Sequence, residues 1–309
     1  MKFELTILGS SAGVPAYSRF TTSQILNVQE QHYMIDCGEG TQMRLEQYRI
    51  PRGRIKQIFI SHLHGDHVNG LIGLLTSYSM VGRTEEIHIF SPAGLKQLID
   101  FQLHTTSSYI TYPVTFYEID TTQHKLIFED KLITVHSIPL EHRVPTSGFL
   151  FREKPRPNNI IPKKIEEYNI PFFQISEIKS GIDFVTSEGI TIPNNQLTSP
   201  PPPARSYAYC SDTLYIERII PIIEKVNLLF HETTFCHDMV ENATISKHTT
   251  AQQAAKLAAA AQVGQLITGH YSARYPNIEP ILEEARRYFE NSVAGLDGSV
   301  HEVLWKKKE

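Results

Sequence analysis

Residues 55–70 read IKQIFISHLHGDHVNG. The run Ile55 to Ser61 is a buried strand by its apolar content, and a helix begins again at Gly70 and runs to Met80. Between them stand His62, His64, Asp66 and His67. A strand that ends in such a loop is a rigid platform, and the loop lets its side chains converge. His62 and His64 alternate along the chain and so point the same way, while Asp66 and His67 turn toward a neighbouring point. Four metal-capable groups are more than one ion usually takes from one loop. The spacing therefore predicts two metal ions sharing the segment. Crowding so many titratable groups together without a metal has no structural benefit.

Working outward, further ligands are sought among polar residues that end apolar strands. His142 follows Val135 to Leu140, Asp212 follows Tyr207 to Ser211, and His270 follows Leu266 to Gly269. Taken singly, each reads as a hydrogen-bonded loop residue. Taken with the cluster they give five histidines and two aspartates. Imidazole with carboxylate suits zinc, and also iron or manganese. Two such ions close together make a hydrolytic site.

The remaining pattern alternates strands and helices. Strands are predicted at 3–8, 25–28, 33–37, 87–90, 114–119, 126–128, 132–138, 206–210, 226–230, 266–268 and 300–305. Helices are predicted at 41–48, 94–103, 214–223, 251–261 and 279–289. Thr249 or Thr250 with Gln252 or Gln253 has capping-box spacing, and Gly264 reads as that helix's stop. Strand-rich stretches followed by mixed ones, in both halves, predict an α+β chain with two packed sheets and helices outside: a four-layer αββα sandwich. Residues 1–309 then form one domain. Residues 152–205 break the rhythm. They are proline-rich, with Pro200 to Pro203 in a row, and show few core periods, which predicts an inserted flexible arm.

Composition bounds the rest. An apolar fraction of 41% and a charged fraction of 20% exclude disordered and fibrous classes. The formal charge of −4 argues against a general affinity for nucleic-acid backbones, and no DNA partner is expected. Cys37, Cys210 and Cys236 are odd in number and far apart, so a reducing, cytoplasmic setting is expected. No apolar run approaches bilayer length. The N-terminal stretch is expected to be a strand and turn rather than a leader, because Glu4 and Thr6 alternate with apolar residues.

The HxHxDH arrangement of His62–His67 resembles the metallo-β-lactamase superfamily. Within it, the chain resembles the ribonuclease Z family over essentially its whole length. The segments that carry this are Leu8–Pro15, Asp36-Cys37-Gly38-Glu39-Gly40-Thr41-Gln42, Ser211-Asp212-Thr213, His231-Glu232-Thr233-Thr234 and Gly269–Tyr275. The resemblance implies a zinc-dependent endoribonuclease that removes the 3′ trailer from precursor tRNA and leaves a 3′-hydroxyl. It implies two Zn²⁺ per subunit: one on His62, His64 and His142, the other on Asp66, His67 and His270, with Asp212 bridging. It assigns Asp66 a proton-acceptor role as well, although a metal-bound carboxylate is a poor free base and could instead orient the water. A homodimer is expected on the same ground.

His248 precedes the Ala-rich helix beside Thr249 and Thr250. A helix N-terminus offers free N–H groups, so His248 and Thr249 are candidates for contacting the scissile phosphate, with His248 protonating the leaving oxygen. The resemblance points the same way. Glu232 is a candidate partner that holds His248 charged. Arg274, four residues past His270, is a candidate phosphate clamp.

In the family an arm grips the tRNA body. Here Arg152, Lys154, Arg156, Lys163 and Lys164 stand against one acidic residue over 152–164, a local charge of +4. Such cations on a proline-stiffened arm can meet RNA phosphates without reading sequence. Two other readings compete: a hydrolase of a small ester on the same fold, and a non-catalytic RNA-binding homologue.

Overall fold

The computed structural model describes residues 1–305 and divides them into two compact units, 1–152 with 205–305, and 153–204. The larger unit holds two seven-stranded sheets. The first contains β1 (Phe3–Gly9), β2 (Ser23–Val28), β3 (Gln31–Cys37), β4 (Ile55–Phe59), β5 (Ile87–Ser91) and β6 (Val114–Glu118). The second begins with β7 (Leu126–Glu129), β8 (Ile133–Pro139) and β9 (Ser147–Glu153), and continues with β10 (Ser206–Cys210), β11 (Leu228–Glu232), β12 (Gln265–Gly269) and β13 (Ser292–Ala294). The last strand, β14 (Val300–Glu302), returns to the first sheet, giving the order β14-β1-β2-β3-β4-β5-β6 against β13-β12-β11-β10-β9-β8-β7. In the first sheet β3 pairs in parallel with β4, and in the second β10, β11 and β12 pair in parallel with one another, whereas β9–β10 and β7–β8 are antiparallel.

Alternation along the strands sorts side chains into three cores. Phe3, Leu5, Tyr33, Ile35, Phe59, Phe149, Phe151, Tyr207, Tyr209 and Phe230 meet between the sheets. On the outer face of the first sheet, Met34, Ile58 and Ile60 pack with α1 (Thr41–Gln47), α2 (Leu71–Met80) and α3 (Leu95–Thr105) through Leu45, Leu71, Leu75 and Ile99. On the second, Ala208, Leu229 and Leu266 pack with α5 (Ala251–Ala260) and α6 (Glu279–Tyr288). A shorter helix, α4 (Val240–Ser246), precedes α5. Period-two burial with a core on both faces of each sheet is the four-layer αββα arrangement.

Four expectations need correction. The helix predicted over 214–223 is a 3₁₀ turn, Glu217–Ile219, and one turn of α-helix, Ile220–Ile223; Pro221, lacking an N–H, starts that turn rather than sitting inside a longer helix. Gly264 does not stop α5. The left-handed residue after the helix is Gln262, φ 52°, whereas Gly264 is needed because a Cβ there would lie 2.4 Å from the Asn227 carbonyl oxygen. The edge strand β13 was not predicted, being only three residues long. The last strand stops at Glu302 instead of continuing to Trp305.

Residues 153–204 are also more ordered than their composition implies. Two short strand pairs, Asn159–Ile160 with Thr198–Ser199 and Phe184–Val185 with Thr191–Ile192, enclose a small core of Ile170, Ile178, Phe184, Ile192 and Leu197. The Asn194 side chain pins it, donating to the Ile178 and Ile182 carbonyls at 2.6 and 2.8 Å. Arg152 lies on β9 in the larger unit. Within 153–204, five basic residues stand against six acidic ones.

Two glycine substitutions should move stability in opposite directions. Gly264→Ala must displace backbone and should cost about 1–3 kcal/mol. Gly73→Ala, with nothing within 4 Å of the new Cβ on the exposed side of α2, should gain about 1 kcal/mol. Urea midpoints at equal slope measure both.

Candidate metal centre

Three site residues turn the chain sharply at strand ends. Asp36 in β3, Asp212 after β10 and His270 after β12 have φ of 56°, 57° and 56°. The left-handed region is tolerated by Asp and His better than by most residues, and costs on the order of 1–3 kcal/mol when held in place. The gain is that the side chains project inward at the ends of rigid strands. Asp66 and His67 lie on a single helical turn, Gly65–Val68, and His64 precedes it in extended conformation. The backbone of Gly38 packs tightly under that turn: a Cβ there would lie 2.4 Å from the Asp66 carbonyl oxygen.

The seven predicted ligands converge. One group of ligand atoms comprises His62, His64, His142 and Asp212, and a second Asp66, His67 and His270; within each, the atoms lie within 4.8 Å of one another. Asp212 faces both. Its Oδ1 is 3.8 Å from His62 Nε2 and from His142 Nε2, and its Oδ2 is 3.1 Å from His67 Nε2 and 3.3 Å from His270 Nε2.

Hydrogen bonds on the far side of each ring set its orientation. His67 Nδ1 meets Asp36 Oδ2 at 2.7 Å, and His142 Nδ1 meets the Lys247 carbonyl at 2.9 Å. His270 Nδ1 lies 3.1 Å from the Thr234 hydroxyl, and His62 Nδ1 3.1 Å from the Ser61 hydroxyl. Both hydroxyls donate onward, Thr234 to Glu232 at 2.5 Å and Ser61 to Asp36 at 2.8 Å, so each accepts from its imidazole. The protons therefore sit outward and the lone pairs point in. His62 Nε2 is 3.0 Å from His64 Nδ1, which is 3.3 Å from His142 Nε2. The buried Nε2 atoms of His67 and His270 have no hydrogen-bond partner. Converging lone pairs and carboxylates fit a cation, and the nitrogen and oxygen donor set fits zinc.

The protonation directions agree with inward lone pairs at His62 and His142 and oppose it at His67. Burial lowers the pKa of His62 and of His142, keeping both neutral. Burial also opposes charge on Asp212, but His270, His67 and His62 outweigh it and hold the carboxyl well below its ordinary range. His67 runs the other way. Burial is overcome by Asp212, Asp66 and Asp36, which draw a proton onto the ring. A cation at the cluster centre competes with that proton for the same carboxylates.

A cavity of about 310 Å³ opens onto the cluster, lined by Gly13, His64, Asp66, Asp212, His248 and His270 among others. Gly13 N–H donates to Asp66 Oδ2 at 2.8 Å. The loop that carries Gly13 is tied down by Asp297, which accepts from Ser10 Oγ and Phe20 N–H and pairs with Arg44 at 2.8 Å.

His248 and Glu232 are brought together. His248 Nδ1 lies 2.9 Å from Glu232 Oε2, and the fully buried carboxylate also accepts from Thr213 N–H at 2.6 Å. Burial disfavours the His248 cation, but the Glu232 charge and hydrogen bond prevail and raise its pKa to about 9. The free helix N-terminus expected beside it is not present. Ala251 N–H donates to Phe235 O, Gln252 N–H to Glu284 and Gln253 N–H to Thr250 Oγ1, so these groups already have protein acceptors. Thr249 is buried and its hydroxyl donates to the Thr213 carbonyl at 2.6 Å, which makes it a clamp on the Asp212 loop rather than a cavity group. Arg274 is exposed and does not line the cavity. Among the arm cations, Arg156 pairs with Glu153 and Lys164 with Glu167, while Lys163 is exposed.

Sequence reading quoted Asp36 only as part of a motif. Its role was missed because nothing in a linear pattern marks an acceptor for a distant imidazole. Its place at a strand end, two residues before Gly38, is the available signal.

No helix among the described residues is long and apolar enough to cross a membrane. A family model described as anti-Pycsar protein Apyc1 matches residues 3–289. Ribonuclease Z of Bacteroides fragilis is 47% identical over 292 residues, covering 94% of this chain and 96% of that one. Ribonuclease Z of Bacteroides thetaiotaomicron is also 47% identical, covering 94% and 92%. Among solved structures, human tRNase Z, short form, superposes with a TM-score of 0.70 at 23% identity, over 97% of this chain and 99% of that one, a likeness of fold.

Asp36→Asn should lower metal affinity about 10–100-fold, because the partner that orients the His67 ring is weakened. Competition with a chromophoric chelator measures this.

Proposed function

The chain belongs to the family described by the Apyc1 model and to the ribonuclease Z family, and on that premise we propose that it is an endoribonuclease that removes the 3′ trailer of precursor tRNA. The observation that carries this reading is the double ligand cluster beside a charged His248–Glu232 pair at one cavity. A hydrolase of an ester with a good leaving group has no need of such a proton donor. A non-catalytic homologue has no need of the cluster.

In this reading His62, His64, His142, Asp66, His67, His270 and Asp212 would together hold two Zn²⁺. When bound, the two ions supply neutralisation of phosphate charge and a water of lowered pKa. Asp66, held by Gly13 N–H at the cavity wall, would orient an attacking water. His248, kept protonated by Glu232, gives its proton to the leaving 3′-oxygen as the P–O bond breaks. Arg274, outside the cavity, remains available to a phosphate further along the RNA.

We assign residues 153–204 the contact with the tRNA body. Lys163 is exposed there, and Phe172 and Phe173, 89% and 75% exposed, offer flat faces for bases. The near balance of charge in this unit favours a second reading, hydrolysis of a small phosphodiester without RNA. The family resemblance extends the proposal to a homodimer, and three buried free cysteines suit the cytoplasm.

Purified protein should cut a 3′-extended tRNA to a product ending in a 3′-hydroxyl, and a chelator should abolish the cut. A chain lacking residues 155–200 should lose tRNA cleavage but still hydrolyse bis(p-nitrophenyl) phosphate. Hydrolysis of the small ester alone by the full chain favours the second reading.

The pH profile gives a separate check. His248 must be protonated to act, so kcat on tRNA should fall as pH rises through about 9. Glu232→Gln removes the charge that raises this pKa, so the fall should begin at lower pH, read from kcat against pH in both proteins.

A further inference from the structure

The segment from His237 to Gln252 leaves the sheet after β11 and returns as the first turn of α5. It carries α4, then Lys247, His248 and Thr249, and all three reach the site. The Lys247 carbonyl accepts from His142 Nδ1 at 2.9 Å, and Lys247 Nζ donates to the His142 carbonyl at 3.1 Å. His248 meets Glu232, and Thr249 Oγ1 donates to the Thr213 carbonyl. Lys247 has φ 59°, so the chain turns abruptly just before His248. The direction of the His248 ring therefore depends on where the two ends of the segment are held.

One carboxylate holds both ends. Glu284, half-buried on α6, accepts from His237 N–H at 3.0 Å with each oxygen, and from Gln252 N–H at 2.9 Å. These are N–H groups at the starts of a 3₁₀ turn and of α5, which lack partners within their own turns. A charged acceptor makes such bonds stronger than a neutral one does. Neighbouring contacts close the same base: the His237 ring lies 3.1 Å from Thr250 Oγ1, and Ala251 N–H reaches the Phe235 carbonyl at 2.9 Å.

We propose that Glu284 is a positioning residue for the reaction. It closes the base of the 237–252 segment and thereby aims His248 at the leaving oxygen. Glu284 touches no reacting atom, and this role rests on the function proposed above.

The leaving group separates positioning from general stability. When tRNA is cut, the bond from phosphorus to the tRNA 3′-oxygen breaks, a bond from phosphorus to a hydroxide oxygen forms, and the His248 proton passes to the departing oxygen. A p-nitrophenolate departs without a proton. Glu284→Ala should therefore lower kcat on a 3′-extended tRNA about tenfold, part of what a general acid supplies, with KM unchanged. Hydrolysis of bis(p-nitrophenyl) phosphate and bound-metal content should stay at the parent level, and amide exchange at His237 and Gln252 should quicken. Glu284→Gln, whose amide oxygen still accepts, should restore most of kcat. If the alanine variant does not fold, Glu284→Asp, with the same charge and a shorter reach, carries the same comparison. Equal losses on both substrates, or no loss on either, overturn the proposal. Parent protein that leaves the tRNA uncut overturns the function on which it rests, a result distinct from any behaviour of the variants.

Discussion

A single buried carboxylate, that of Asp36, couples the packing of the two sheets to the orientation of a ligand. It lies in β3 of the first sheet and accepts from Ser61 N–H at 2.7 Å, from the Ser61 hydroxyl at 2.8 Å, from the Tyr209 hydroxyl at 2.6 Å and from His67 Nδ1 at 2.7 Å. Tyr209 belongs to β10 of the second sheet. A carboxylate with no solvent access is tolerable only when donors replace its water. The Tyr209 phenol is a durable donor: burial, and then the Asp36 charge, raise its pKa far above the ordinary range. The bonds that satisfy Asp36 therefore also fix the distance between β3 and β10 and the tilt of His67. The left-handed backbone at Asp36 follows from this arrangement, since the side chain must turn in toward both.

Much of this was legible because it follows from local pattern. The run from Ile55 into the histidine cluster gives a strand ending in ligands whatever surrounds it, and period-two apolar spacing in β1, β3 and β10 sorts residues between two cores. The capping box is local too, and of the pairings the spacing allows the one that forms is Thr250 with Gln253. What sequence could not supply is the identity of acceptors distant along the chain. The α5 N-terminus read as an open anion site because Glu284 lies 32 residues beyond Gln252. Thr249 read as a phosphate ligand because nothing local shows that Thr213 takes its hydroxyl. The core of residues 153–204 escaped notice because its five apolar members are spread over a loop, two helices of four or five residues and two-residue strands, which are too short to show a period.

The two halves of the cluster differ electrostatically. His62, His64 and His142 are all pushed toward neutrality by burial, which suits three imidazoles sharing one centre. His67 sits among three carboxylates and is pulled toward the charged form. The second centre is therefore the more anionic, and a cation there would compete with a proton on His67 for the same carboxylates.

The overall charge of −4 is not offset by a basic unit elsewhere, because residues 153–204 carry five basic and six acidic side chains. The +4 counted over residues 152–164 dissolves on two grounds. Arg152 belongs to β9 of the larger unit, and the acidic residues that follow include Glu167, which is paired with Lys164. Long-range attraction of RNA to either unit is then weak, and contact has to be local. At the cleft, two divalent cations would bring four positive charges against Asp66 and Asp212. Away from it, in the contact proposed for residues 153–204, the exposed rings of Phe172 and Phe173 would gain energy from bases without requiring net positive charge. Substrate affinity built this way depends little on counterion release, so it is less sensitive to salt than the affinity of a basic arm.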